Sequence, residues 1–90
     1  PIGALCISPV LIAKVLGDVT VTIGNDRQTA ADIGKLGGKH ENRQHGEVTI
    51  DRKNLIVTAP CYMINATISE IARDAEAVVK ALIELTGKKA

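Results

Sequence analysis

Gly3-Ala4-Leu5-Cys6-Ile7-Ser8-Pro9 is the stretch from which the fold can be worked out. The apolar residues from Pro1 to Leu5 predict a short strand, and they lead directly into a cysteine. Ser8 and Pro9 suit the start of a helix, because a serine side chain can accept a helix N–H and proline needs no N–H at the first helical position. We therefore expect a strand that passes into a helix within two or three residues, with Cys6 at the corner.

This corner has the layout of a nucleophile elbow, a sharp strand-to-helix turn that presents one side chain at the end of a sheet. The turn requires small residues two positions before and two after the nucleophile, and Ala4 and Ser8 are small. The first-turn N–H groups of the helix would favour a Cys6 thiolate over the thiol. The same residues also suit a structural cysteine buried between a strand and a helix, since free cysteines are among the most buried residues.

The composition is that of one small domain or part of one. The chain of 90 residues is 46% hydrophobic but has one Tyr, no Phe and no Trp, so its core has to be built from Ile, Val, Leu and Ala. The net charge is +1, and positive and negative residues are interspersed along the chain. The sequence therefore shows no basic cluster of the kind that binds nucleic acid or a membrane surface. No apolar run approaches the length of a membrane span, and no signal-peptide pattern is present.

The two cysteines, Cys6 and Cys61, are expected to be a reduced, intracellular pair. No Cys-x-x-Cys or His-x-x-x-His spacing occurs, so we expect no zinc site or other metal centre.

The chain starts at Pro1 directly in an apolar strand, and parallel strands are usually buried on both faces. That start suggests that upstream sequence is missing. An N-terminal proline amine is also the base used by tautomerases, a signal that is accidental if Pro1 is a fragment boundary.

Strands and helices alternate through the first half of the chain. Residues 10–16 predict a short helix that Gly17 ends; it is apolar nearly all round and should pack on both sides. The alternating β-branched residues 19–23 predict a strand. A helix over 28–36 follows, capped by Asn25 or Asp26 and ended by Gly37-Gly38. This order predicts parallel strands joined by right-handed crossovers.

The polar segment 39–46 predicts an exposed loop or an irregular strand. It contains His40 and His45 beside Glu41, which are candidate metal ligands or a catalytic base. A five-residue spacing fits neither a helix face nor one strand face. We therefore expect solvated loop histidines.

The second half predicts a hairpin and one long helix. Segments 47–50 and 55–58 are short strands around the turn 51–54, and Pro60 is a candidate early residue of the last helix. Gly87 would end that helix and Lys88-Lys89 would complement its negative end. Its apolar positions recur at spacings of three and four and should cover a sheet: Ile64, Ile68, Ile71, Ala75, Val78, Val79, Leu82 and Leu85. Its expected solvent face carries Glu70, Arg73, Asp74, Glu76, Lys80 and Glu84.

Three segments in this order resemble one family. Cys6-Ile-Ser-Pro9 at a strand end, Val-Thr-Ile-Gly-Asn-Asp over 21–26 and Ile-Val-Thr-Ala-Pro-Cys-Tyr-Met over 56–63 together resemble the C-terminal part of the ElbB-like proteins of the PfpI/ThiJ superfamily. These are described as isoprenoid biosynthesis proteins with an amidotransferase-like domain, and as glyoxalases. The resemblance runs from Pro1 to about Leu85.

The resemblance implies an α/β fold, a flavodoxin-like three-layer sandwich with a mostly parallel sheet and a β-hairpin. Residues 1–90 would be the C-terminal portion of a single class I glutamine amidotransferase-like domain. The remaining N-terminal part would supply a glutamate that hydrogen-bonds the cysteine and a Gly-rich oxyanion turn. A homodimer and a cytoplasmic location, or alternatively a mitochondrial one, are implied, with no nucleic-acid or membrane partner.

The resemblance also implies a glyoxalase-like reaction on a small aldehyde, with Cys6 as the nucleophile and no cofactor, metal or glutathione. The backbone N–H of Ile7 is the candidate oxyanion donor in this chain. Several superfamily members carry a histidine after the strand that follows the elbow helix, whereas this chain has Ile23-Gly24 there. The acid/base group would then come from the missing part, and this chain alone would be inactive. The alternative is a non-catalytic or redox-regulatory protein that keeps the fold and a reactive cysteine.

The predicted substrate pocket is formed by Ser8, Asn25 and Tyr62. Asn25 follows a strand at the end of the sheet where open α/β proteins bind ligands. Cys61, Tyr62 and Asn65 follow the hairpin and could line the same edge. Packing, turn formation or helix initiation would also explain each of these residues.

Overall fold

The computed structural model describes residues 1–64 and 67–87, except for the side chain of Tyr62. Its strands and helices, in chain order, are β1 (Ile2–Leu5), α1 (Pro9–Leu16), β2 (Thr20–Gly24), α2 (Arg27–Lys35), β3 (Lys39–Asn42), β4 (Thr49–Asp51), β5 (Ile56–Ala59) and α3 (Ile68–Leu85), with a short 3-10 turn (Cys61–Met63) between β5 and α3.

Strand β5 lies between β1 and β4. It runs parallel to β1, with Leu5 opposite Ala59, and antiparallel to β4, with Thr49 opposite Thr58. Strands β2 and β3 form a second, parallel pair. The predicted hairpin is confirmed. Parallel strands are also present, but β1 and β2, from whose order they were predicted, are not hydrogen-bonded neighbours: β1 pairs with β5, and β2 pairs with β3.

Two side chains connect β2 to the β4–β5 hairpin. Thr58 Oγ1 accepts the N–H of Thr22 at 2.9 Å, and Asp51 Oδ2 accepts the N–H of Thr20 at 2.8 Å. Asp51 Oδ1 also accepts the N–H of Asn54 across the turn, which is the role that an aspartate suits at this position.

The core lies on both faces of β5. Ile56 belongs to a cluster with residues of α1, β2 and α2, including Ala13, Val21 and Ile33. Val57 belongs to a second cluster with Val78 and Ala81 of α3. Helices therefore cover both faces of the strand, which confirms the three-layer prediction. The buried residues of both clusters are Ala, Val and Ile, as the composition requires.

Two predictions about the helices are wrong, whereas one alternative for the polar segment is confirmed. Helix α1 does not pack on both sides: its Ala13 face is buried against the core, but Leu11 and Val15 are 64% and 80% exposed because no described element covers them. Residues 39–42 form the irregular strand that was predicted as an alternative to a loop, since they pair with β2 and the register of that pair shifts. Helix α3 begins at Ile68 rather than near Pro60, because Thr67 and Glu70 form a capping box there.

Helix α3 covers the sheet with Val78, Leu82 and Leu85 as expected. The prediction is wrong for Ile68 and Val79, which are 82% and 55% exposed. A side chain at Gly3 of β1 would meet Val78 and Leu82, so the helix lies directly on the strand. Ile64 precedes the helix and packs on Gly24 instead. The helix ends at Leu85, with Thr86 as its C-cap and Gly87 next in a left-handed conformation (φ 83°). Lys88-Lys89 lie outside the described residues. Among the described helices, none is long and apolar enough to cross a membrane.

Candidate functional site

The strand-to-helix corner lies where the sequence predicts it. Strand β1 ends at Leu5 and α1 begins at Pro9, with Cys6 directly after the strand. Cys6 has φ 62°, a left-handed conformation that is uncommon for a residue other than glycine. Its N–H donates to the carbonyl of Ala59 on β5 at 3.0 Å, which fixes the residue to the neighbouring strand. Such conformations persist only where the surroundings impose them, and they cluster at functional sites.

Ser8 stabilises this corner from the predicted N-cap position, but not by the predicted hydrogen bond. Its hydroxyl donates to the carbonyl of Leu5 at 2.7 Å and accepts the N–H of Leu5 at 3.0 Å. Ser8 already has helical dihedral angles, and its side chain accepts no helix N–H, so the position is confirmed and the capping hydrogen bond is not. The hydroxyl closes the turn back onto the last strand residue, whereas Pro9 has its predicted place at the first helical position.

The Cys6 sulfur is half-buried, and within residues 1–64 and 67–87 no group forms a hydrogen bond to it. Likewise, no described group accepts the N–H of Ile7. A partly exposed sulfur and an unpaired N–H on the next residue could bind an anionic or carbonyl group.

Cys61 occupies the corresponding corner after β5. It also has a left-handed conformation (φ 46°), but it is only 3% exposed. Burial raises the pKa of the Cys61 thiol, and the negative charges of Asp74 and Cys6 raise it further. Cys61 is therefore held as a neutral thiol, and both cysteines are unpaired in the structure.

Asp74 is a buried residue that the sequence analysis placed on the wrong face of α3. Its carboxylate accepts the N–H of Gly46 at 2.6 Å and the N–H of Cys61 at 3.0 Å, and its Oδ2 lies 2.8 Å from His45 Nδ1. Because a carboxylate accepts, His45 Nδ1 donates. Asp74 thus joins the loop after β3 and the 3-10 turn to α3. Its spacing of four and seven residues from the buried Val78 and Ala81 is the signal that could have identified it.

The expectation of solvated histidines is wrong for both residues. The side chain of His45 is 9% exposed beside Asp74. His40 Nε2 accepts the N–H of Ile23 at 3.2 Å, at the irregularity where the β2–β3 register shifts. Burial lowers the pKa of His40, and the charge of Glu41 offsets this only in part. His40 is therefore neutral, and its Nε2 accepts a backbone hydrogen bond where the pairing of β2 with β3 is irregular.

The end of β2 lies against the end of β5. Gly24 has φ 102°, and a side chain there would meet Pro60 and Ile64. Asn25 is exposed directly after it, and Asp26, not Asn25, caps α2 by accepting the N–H of Thr29. Asn65 and the side chain of Tyr62 lie outside the described residues.

Two surface cavities lie on α3 rather than at Cys6. One of about 350 Å³ is lined by Pro1, Leu82, Ile83 and Thr86; the other, of about 620 Å³, is lined by residues of α3 alone. Neither is lined by Cys6, Ser8 or Asn25. In the part of the chain that the structure describes, no group of three or more His, Cys, Asp or Glu side chains could hold a metal ion.

The human glutamine amidotransferase-like class 1 domain-containing protein 3, mitochondrial, is 40% identical to this chain over an alignment that covers 98% of this chain. The rat ES1 protein homolog, mitochondrial, is 39% identical over the same share. A solved isoprenoid biosynthesis protein with an amidotransferase-like domain from Ehrlichia chaffeensis superposes on 96% of the chain with a TM-score of 0.88 and 29% identity. These similarities confirm the resemblance to the ElbB-like, amidotransferase-like proteins. No family model matches it.

The superposition on the solved structure confirms the flavodoxin-like fold that the resemblance of the three segments implies. The chain spans 36% of the length of the human and rat relatives and 41% of the solved structure.

Proposed function

We propose that this chain carries the cysteine nucleophile of an enzyme that converts glyoxal, or a related 2-oxoaldehyde, to the hydroxyacid without glutathione. The observation that carries the proposal is the left-handed Cys6 at the β1–α1 corner, partly exposed and without a hydrogen-bond partner among the described residues. A nucleophilic cysteine has to be accessible, whereas structural cysteines are buried and inert.

In the proposed reaction the Cys6 thiolate adds to one aldehyde carbon and forms a C–S bond, and the carbonyl π electrons move to the oxygen. The N–H of Ile7 would donate to that oxyanion, since charge that develops on an oxygen needs a donor already in place. Proton transfer from the hemithioacetal carbon to the second carbonyl carbon then gives a hydroxyacid thioester. Water hydrolyses the thioester, which releases the hydroxyacid and restores Cys6.

The proton transfer needs an acid/base group. His40 Nε2 is already bound to the backbone of β2, and His45 Nδ1 is bound to Asp74. We therefore assign the acid/base group, and the hydrogen-bond partner of Cys6, to polypeptide beyond these 90 residues. In this proposal residues 1–90 are the C-terminal portion of one amidotransferase-like domain and are inactive alone.

The proposal also covers the substrate class, the pocket residues, the oligomeric state and the location of the enzyme. Small aldehydes are its substrates, Ser8, Asn25 and Tyr62 border its pocket, and it acts as a homodimer. The human and rat relatives are both named as mitochondrial proteins, which favours the mitochondrial location over the cytoplasmic one.

The test compares two cysteine variants of the full-length protein. We expect Cys6→Ser to reduce hydroxyacid formation from glyoxal by about a hundredfold or more, because the thiolate is the reacting group. Cys61→Ser is the matched control and should retain turnover. An unchanged rate for Cys6→Ser would overturn the proposal.

A redox-regulatory role is the second candidate. It is favoured by the difference in exposure between the half-buried Cys6 and the 3% exposed Cys61, because an accessible thiol is the one that peroxide oxidises first. A wild-type protein that turns over no aldehyde but loses the Cys6 thiol to peroxide before the Cys61 thiol would support this role.

A further inference from the structure

We propose that Cys6 and Cys61 form a reversible disulfide after a hydroperoxide oxidises Cys6, and that this bond blocks the Cys6 sulfur. The two residues follow the ends of neighbouring parallel strands, whose last register pair is Leu5 opposite Ala59. Cys6 is one residue beyond that pair, and Cys61 is two residues beyond it. The proposal does not require the aldehyde chemistry.

The strand pairing places the two residues close together. The Cys6 N–H donates to the Ala59 carbonyl at 3.0 Å, so the pairing of β1 with β5 continues to Cys6 and Cys61 lies one residue beyond the position opposite it. Neighbouring strands lie about 4.8 Å apart, and consecutive Cα atoms about 3.8 Å. The Cα atoms of Cys6 and Cys61 therefore lie within about 8.6 Å of each other, a limit that includes the range of about 4.4–6.8 Å found for disulfides.

The backbone at both residues departs from the pleat. Cys6 and Cys61 have φ values of 62° and 46°, so the alternation that sends successive side chains to opposite faces ends at each of them. The Cys61 thiol also responds to the charge of Cys6, which supports a short separation between the sulfurs.

Different surroundings give the two sulfurs different roles. Cys6 is half-buried and open to a small oxidant, whereas Cys61 is 3% exposed and tied through its N–H to Asp74. Cys6 is therefore the residue that meets the peroxide, and Cys61 is the resolving thiol, protected from direct oxidation.

The chemistry balances in two steps. The Cys6 thiolate attacks one oxygen of the hydroperoxide and the O–O bond breaks, which gives Cys6 sulfenic acid and, after protonation, an alcohol or water. Cys61 loses its proton and its sulfur attacks the Cys6 sulfur; the S–O bond breaks and water leaves. Sulfur is oxidised by two electrons and the peroxide is reduced by two. The second step should be slow at neutral pH and accelerate as the pH rises, because it needs the Cys61 thiolate.

The test treats the full-length protein with one equivalent of hydrogen peroxide, blocks remaining thiols and maps the peptides by mass spectrometry without reduction. We expect an intramolecular Cys6–Cys61 peptide, formed faster at pH 9 than at pH 7 and removed by dithiothreitol. The Cys61→Ser variant should instead accumulate Cys6 sulfenic acid, trapped by dimedone. In the Cys6→Ser variant Cys61 should stay reduced.

Two results would overturn the proposal: bridged peptides that join two molecules, or overoxidation of Cys6 in the wild type as fast as in Cys61→Ser. The readout is peptide mass, which does not depend on turnover. A protein that turns over no aldehyde can therefore still form the disulfide, and a protein that turns over aldehyde can fail to form it. The two proposals can thus be rejected independently.

Discussion

The ends of β1 and β5 make an instructive comparison, because two cysteines with similar backbone conformations differ in almost everything else. Cys6 is followed by a turn that Ser8 closes onto Leu5, and its sulfur stays partly open. Cys61 is followed by a 3-10 turn beneath α3, where the buried Asp74 binds its N–H. The reactivity of a strand-end cysteine therefore depends on what the chain does in the next few residues, not on the strand end itself.

The largest effect should come from removing the anchor at the Cys61 end. Asp74→Ala leaves the buried donors of His45, Gly46 and Cys61 without their acceptor, which should lower the free energy of unfolding by about 3–5 kcal/mol. Urea denaturation measures this loss. Thiol labelling of the folded protein should speed up at Cys61 and stay unchanged at Cys6.

The exposed Glu76 on the same helix is the matched control, and Glu76→Ala should change the free energy of unfolding by less than about 0.5 kcal/mol. Equal losses for the two variants would mean that Asp74 does not organise the Cys61 end.

A second change tests how tightly the end of β2 packs against the end of β5. Gly24→Ala places a Cβ 2.8 Å from Ile64 Cγ1 and 3.1 Å from Pro60 Cβ, at a φ of 102°. We expect a loss of about 2–3 kcal/mol in the free energy of unfolding. Gly17→Ala separates strain from crowding: its φ is 74°, but nothing lies within 4 Å, so the loss should be about 1 kcal/mol. A larger loss at Gly17 would argue against close packing at Gly24.

At the Cys6 end a smaller effect is expected from Ser8→Ala. The variant loses both hydrogen bonds to Leu5, and the free energy of unfolding should fall by about 1–2 kcal/mol. Ser69, exposed on α3, is the matched control, and Ser69→Ala should change it by only a few tenths. If Ser8→Ala is as stable as the wild type, the hydroxyl does not close the corner.

The smallest effect concerns acid stability and lies outside both strand ends. The pKa of folded His40 lies below its ordinary value of 6.5, so the unfolded chain takes up a proton first as the pH falls. The stability contributed by neutral His40 is complete above pH 6.5 and is lost as the pH falls through the lower pKa of the folded protein. His40→Gln, whose amide oxygen can still accept the N–H of Ile23, should flatten the dependence of Tm on pH. An unchanged dependence in that variant would exclude His40 as its source.

The sequence correctly predicted the elements that are specified by residues close together in the chain. The residues around Cys6, the β-branched run of β2 and the glycine that ends α1 each specify their own element, and all three have their predicted places. The capping box at Thr67 and Glu70 was equally local, but Pro60 suggested an earlier helix start and the Thr-x-x-Glu signal was overlooked.

Contacts between distant segments could not be predicted in the same way. His45 and Asp74 are 29 positions apart, and nothing near either residue specifies the other. The ring of His40 accepts a backbone N–H only because the β2–β3 register shifts beside it, which no local pattern reveals. The exposed faces of α1 were missed for a related reason, since an apolar helix does not specify which of its sides is covered.

The most direct test of the central claim, that Cys6 is the reactive thiol and Cys61 is not, is the rate at which iodoacetamide labels each cysteine in the native protein near neutral pH. Peptide mass spectrometry over a time course gives both rates from one sample. Because Cys6 is accessible and burial raises the pKa of the Cys61 thiol, labelling of Cys6 should be at least about tenfold faster than labelling of Cys61. Equal rates, or faster labelling of Cys61, would contradict the account.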